Sequence, residues 1–164
     1  LDSYHRLTHL PEPEYKTVSV PALFTKLERL LQAEPRSERV VYCDGKADRS
    51  TGKELQVYGD ANLLTLALIN LIRNALQAVE GQEDGIVRVD TCAGATGHLL
   101  IIITDNGPGI PPERLSAIFT PFFSTKSGGS GIGLPISQRI MQLHGGQLSV
   151  SSIPNVRTEF RMEF

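Results

Sequence analysis

Residues 120–137, TPFFSTKSGGSGIGLPIS, decide between two folds. Glycines at 128, 129, 131 and 133 precede or open a run in which Ile136, Ile140 and Leu143 recur at helical intervals. Such spacing also occurs in the dinucleotide loops of doubly wound βαβ folds, but those need an apolar strand directly before the glycines. FTPFFSTKS is no such strand, and the two runs that follow the helix, GQLSVSSI and VRTEFRMEF, both read as strands. The glycines therefore open a helix in a different architecture. Backbone amides at a glycine-opened helix start form an anion site, because first-turn donors are unpaired and the helix dipole is positive there. Lys126 adds a point charge suited to phosphate. Phe122 and Phe123 need something to pack against, so the stretch reads as a short lid rather than a slack linker.

Working outward, HLLIIITD and GIVRVDTC are strands on either side of the turn AGATG, giving a hairpin. PPERLSAIF is a short helix opened by proline. Asp60 stands as the N-cap of a long helix over ANLLTLALINLIRNALQAV. ERVVYCD and ELQVYGD are short strands separated by the polar GKADRSTGK, and PALFTKLERLLQAE is a surface helix burying Leu23, Leu27, Leu30 and Leu31. The opening residues are the end of a helix that stops before Pro11 and Pro13, followed by an extended linker. Helices and strands are interspersed without βαβ alternation or internal repeat. The expected fold is an α+β two-layer sandwich, a mixed sheet covered on one face by helices.

Two further positions carry chemistry. Asn70 and Asn74 lie four apart and share one helix face, opposite Leu68, Leu71, Ile72, Ala75 and Val79. Leu63 and Leu66 project on the asparagine side, so that face is expected to be partly covered and its carboxamides to need partners. A neutral amide oxygen suits Mg²⁺, which keeps most of its waters and takes anionic ligands from substrate phosphates. Asp105 ends an apolar strand and is followed by glycines at 107 and 109. Asp-Asn-Gly usually marks a hairpin turn, yet IPPERLSAIF supplies a helix start where the second strand should be. The glycines are then expected at points of close backbone approach to a ligand. A carboxylate facing an apolar pocket needs a donor, and the exocyclic amine of adenine would serve.

Composition narrows the class. The chain has 164 residues, enough for one domain with a substantial core, and a net charge of −2 that argues against nucleic acid as a partner. Cys43 and Cys92 lack metal-ligand spacing and read as buried thiols in a reducing compartment. No apolar run is long enough to cross a bilayer and none resembles a signal peptide. A chain opening at Leu1 without methionine is expected to be a fragment of a longer protein, with a cytoplasmic location and a parent that can be anchored in the inner membrane.

In order along the chain, NLIRNALQAV, DNGPGI, TPFFSTK and GGSGIGLPIS resemble the four nucleotide-binding boxes of the sensor histidine kinase ATP-binding domain. This Bergerat-type fold, with a mixed and mostly antiparallel sheet, is shared with type II topoisomerase, heat-shock chaperone and mismatch-repair ATPases. The short lid and NALQAV are most similar to nitrogen-regulation-type kinases. The resemblance covers residues 18–164 and makes residues 1–17 the end of a dimerisation helix and a linker. It implies that the cofactors are ATP and Mg²⁺, with Asn74 on the metal and Asp105 on the adenine amine. Asn70 would sit beside metal and phosphates and share catalysis with Lys126, which would reach the phosphates from the lid. Gly107 and Gly109 would shape the base pocket; Gly129, Gly131 and Gly133 would face phosphate, with Leu134 behind them. Ile110, Phe122, Phe123, Ser130 and Ile132 complete the implied nucleotide-binding set. Thr158 would sit near adenine, although PNVRTEF lacks the family's Gly-Gly-Thr run.

The same resemblance implies a protein histidine kinase whose partners are its own upstream histidine-bearing dimerisation domain, as a homodimer, and a response regulator. Hydrolysing members of the superfamily resemble one another in a glutamate where this chain has Asn70, and an amide is no general base. None of the four histidines is followed by an acid, as a phosphoacceptor would be: His5, His9, His98 and His144 read as structural or solvated. No membrane contact is expected of this segment. The alternatives are a same-fold ATPase, an anti-sigma serine kinase or a non-catalytic interaction module.

Overall fold

The computed structural model describes residues 10–43, 52–93, 98–124 and 129–164. Along these run β1 (Lys16–Ser19), α1 (Val20–Leu31), β2 (Val40–Tyr42), β3 (Gln56–Gly59), α2 (Ala61–Ala78), β4 (Val87–Ala93) and β5 (Leu99–Asp105). They continue with α3 (Pro112–Leu115), α4 (Gly133–Leu143), β6 (Gln147–Ile153) and β7 (Arg157–Glu163). The helical tail read into the opening residues and the centre of the polar segment between β2 and β3 lie outside the described residues. So do most of the β4–β5 turn and Lys126.

Five strands form one sheet in the order β2-β4-β5-β7-β6, with β2 parallel to β4 and all other neighbours antiparallel. This is the expected mixed α+β sandwich. β1 and β3 form a separate antiparallel ribbon. That ribbon corrects the extended linker: Lys16 and Thr17 already pair with Gly59 and Tyr58. A partner some forty residues away leaves no local trace in KTVS.

One face of the sheet is covered by helices because β5 alternates strictly. Leu99, Ile101 and Ile103 are buried, as are Leu148, Phe160 and Met162 on β6 and β7. Leu64, Leu68, Leu71 and Ile72 of α2, with Ile136, Ile140 and Met141 of α4, close over them. Each such aliphatic side chain contributes about 1.5–3 kcal/mol on burial. α1 packs on α2 through Leu23, Leu27 and Leu31, while Leu30 is exposed. The other face stays polar, with Arg157 and Arg161 both paired to Glu159 and Arg88 paired to Asp90.

Capping sets where α2 begins. Asp60 Oδ1 accepts from the amides of Asn62 at 2.8 Å and Leu63 at 3.0 Å, as the sequence predicts. Its Oδ2 accepts from the Glu14 amide at 2.8 Å, and its own amide donates to His144 Nε2 at 2.9 Å. His144 Nδ1 faces the Ile140 carbonyl at 2.7 Å, so this imidazole is a structural, neutral bridge between α4 and the start of α2. His98 Nδ1 contacts the Phe164 carbonyl at 2.8 Å. Cysteine burial needs correction. Cys92 is exposed and Cys43 half-buried, because both sit on the polar face of the sheet, where Arg88 donates to Cys43 Sγ at 3.2 Å.

Candidate nucleotide site

A cavity of about 560 Å³ opens between α2, the segment after β5, the start of α4 and β7. The central position of β5 delivers Asp105 to its floor. Asp105 pairs with Val87 on one side and Thr158 on the other and is 3% exposed. The Gly107 amide donates to Asp105 Oδ1 at 2.9 Å. A hairpin is ruled out because Asn106 turns the chain differently: its Oδ1 accepts from the Ile86 amide and its Nδ2 donates to the Asp84 carbonyl. α3 then starts at Pro112 as expected, although only four residues long.

The two asparagines reach the cavity from α2, both half-buried. Asn70 Nδ2 donates to the Gly133 carbonyl at 3.4 Å and so ties α2 to the first residue of α4. The cover expected beside them is partial: Leu63 is buried and Leu66 is exposed. Opposite lies the α4 start, where the residue before the helix, Ile132, provides no side-chain cap. Because Pro135 has no N–H, the first turn carries only the Gly133 and Leu134 amides as donors.

Gly129, Ser130, Gly131, Gly133, Leu134, Ile110, Phe123, Gly109 and Thr158 join Asn70, Asn74 and Asp105 around this cavity. Three expected contacts stand elsewhere. Ile132 is buried in the core, and Gly107 sits under Asp105 against Ala78, where an added Cβ would come within 2.7 Å of Asp105 Oδ1. Phe122, expected to pack against something, is 56% exposed with φ of 66°, and its amide donates to the Gly131 carbonyl. Gly109 is a point of close approach, but to protein. Its φ is 77°, and a Cβ would lie 2.9 Å from the Ile153 carbonyl oxygen.

Sequence reasoning overlooked Arg73, Gln77 and Arg114, which also line the cavity. Gln77 lies seven residues beyond Asn70 and so on the same helix face, a signal the spacing already contained. Arg73 is held by Glu34, to which its Nε donates at 2.9 Å. Ser152 escaped too. It accepts from the Ile110 amide at 2.8 Å and lies 3.2 Å from Thr158 Oγ1, behind the cavity wall.

A buried carboxylate thus lies at one end of the cavity and the start of α4, without a side-chain cap, at the other, within a mixed α+β domain. The family model described as "Histidine kinase-, DNA gyrase B-, and HSP90-like ATPase" matches residues 59–164, and the chain belongs to that family. Over 98 residues it is 42% identical to the sensor histidine kinase ZraS of Salmonella typhimurium, covering 60% of this chain and 21% of that protein. With the sensory histidine kinase/phosphatase NtrB of Vibrio alginolyticus it shares 34% identity over 163 residues, 93% of this chain and 45% of that protein. The solved catalytic domain of histidine kinase ThkA superposes with a TM-score of 0.74 at 27% identity, covering 92% of this chain and 95% of that one. Within the family the chain is therefore of the sensor histidine kinase catalytic type. It spans about a fifth to a half of these full-length relatives. Among the described residues no helix is long and apolar enough to cross a membrane.

Proposed function

We propose that the chain is the catalytic domain, residues 18–164, of a longer two-component kinase that passes the γ-phosphate of Mg-ATP to a histidine on an upstream dimerisation domain. Residues 1–17 belong to the end of that domain and its linker. The observation that carries this reading is the single cavity shared by Asp105, the two asparagines and the uncapped start of α4. Asp105 accepts from the adenine amine, beside Ile110, Phe123 and Thr158. The amides around Gly129, Ser130, Gly131 and Gly133 receive phosphate oxygens, and Lys126 reaches them from the lid. Asn74 is the Mg²⁺ ligand.

The donor set fits that ion. No three acidic, histidine or cysteine side chains are grouped among the described residues, so a cation held by Asn74 would take its anionic ligands from the substrate. Bound Mg²⁺ would neutralise charge on the transferred phosphoryl group. Asn70 positions the first residue of α4 through the Gly133 carbonyl, and it supplies no base to activate water. The nucleophile is then the imidazole nitrogen of the upstream histidine. An N–P bond forms, the bridging O–P bond breaks, and ADP leaves with its electron pair. The full-length protein acts as a homodimer in the cytoplasm, with or without a membrane anchor, and hands the phosphoryl group to a response regulator.

Titration calorimetry tests the site directly. Mg-ATP should bind the parent chain, Asp105→Asn should reduce affinity at least a hundredfold, and Asn74→Ala should remove the dependence on Mg²⁺. A parent that binds no nucleotide would overturn the proposal. Turnover of ATP without an added phosphoacceptor domain would instead mark a hydrolase.

A further inference from the structure

Ser152 lies outside the cavity, yet its hydrogen bonds dictate what Thr158 can do inside it. A serine hydroxyl has one proton and two lone pairs. One lone pair accepts from the Ile110 amide at 2.8 Å, and the proton is donated to the Arg157 carbonyl at 3.1 Å. What remains for Thr158 Oγ1, 3.2 Å away, is the second lone pair. Thr158 must then be the donor in that contact, and its own proton is spent within the protein.

Thr158 therefore turns only acceptor lone pairs toward the cavity it lines. It is 4% exposed and sits directly opposite Asp105 in the β5–β7 register, so the two side chains share one face at cross-strand distance. Resting on the nucleotide reading above, we infer that Ser152 is a positioning residue for base selection. By consuming the Thr158 proton it makes this end of the cavity a double acceptor, matched to a purine bearing an amine at position six and opposed to one bearing a carbonyl there. Ser152 also fixes the Ile110 backbone at the same wall, so its loss weakens binding of any purine nucleotide. The ratio between two purines cancels that common effect.

The test compares ATP with ITP, which replaces the amine by a carbonyl, using titration calorimetry on the whole chain. The parent should prefer ATP by about a hundredfold or more. In Ser152→Ala, Thr158 regains a proton to donate, and the preference should fall about tenfold, the equivalent of one hydrogen bond. Ser152→Thr restores the hydroxyl and should restore the ratio. Thr158→Val should also lower it, and adding Ser152→Ala to Thr158→Val should lower it no further. An unchanged ratio in a folded Ser152→Ala protein overturns the inference. If that variant does not fold, an unchanged ratio in Thr158→Val overturns it equally. A parent that binds ATP and ITP alike overturns the selection role alone; one that binds neither overturns the nucleotide reading with it.

Discussion

At the scale of single residues, Gly131 is where the lid meets the helix. Its φ is 66°, and a Cβ there would lie 2.6 Å from the Phe122 carbonyl carbon, a backbone atom with no freedom to retreat. Gly131→Ala should lower stability by about 1–2 kcal/mol from the left-handed conformation alone, with steric displacement of the lid added. The measurement is a thermal melt paired with ATP titration, and affinity should fall at least tenfold. Gly133 is the contrast, because a Cβ there meets only Asn70 at 3.7 Å or beyond, an ordinary contact. Gly133→Ala should leave the melt within about 0.5 kcal/mol of the parent; a loss as large as at position 131 would refute the distinction. Residues that bear their own chemistry, such as Asp105 and Asn74, were legible in the sequence. Ser152 was not, because a serine in the alternating GQLSVSSI looks like any solvated strand position. Its importance exists only once β6 lies beside β7 and Ile110 folds back onto both.

At the scale of elements, the start of α2 is a junction. Burial by itself would raise the Asp60 carboxyl, but the hydrogen bonds from the amides of Leu63, Glu14 and Asn62 hold the group below its ordinary value of 3.8. A carboxylate depressed by folding contributes stability that is complete above the unfolded value and is lost as pH falls through the folded one. Denaturant midpoints should therefore fall below about pH 4, and Asp60→Asn should flatten that part of the profile. If both proteins lose stability equally between pH 4 and 2, Asp60 is not responsible. Asp60→Ala should cost about 1–2 kcal/mol at pH 7 through the lost cap. The cap, the long helix and the hairpin strands were all readable because each rests on local pattern. The β1–β3 ribbon and the parallel pairing of β2 with β4 were not, since each joins short strands far apart in the sequence, such as Lys16 with Gly59 and Val40 with Val87.

At the scale of the whole molecule, the cavity draws its walls from α2, α4, β5 and β7, the same elements that build the core. Ligand binding to the folded state alone should therefore stabilise the entire domain. Mg-ATP at a hundred times its dissociation constant should add about 2.7 kcal/mol. For a chain of this size that raises the melting temperature by roughly 5–11 °C. ITP at the same concentration should give a smaller rise, and equal rises would contradict the base selection assigned to Ser152. The fold class was legible from the order of elements and from the absence of a strand before the glycines. The cavity's second rim, Arg73 and Arg114, was not, because an exposed arginine on a helix looks like any solvated position. One helix links the two ends of this molecule. The first residues of α4 line the cavity, while past its last turn His144 holds the Asp60 amide and the Leu143 carbonyl accepts from Tyr15 at 2.6 Å. Eleven residues of helix make a rod of about 16 Å. The segment around Tyr15 and the cavity rim at Gly133 are thus at opposite ends of one strut, so neither can shift along its axis without carrying the other.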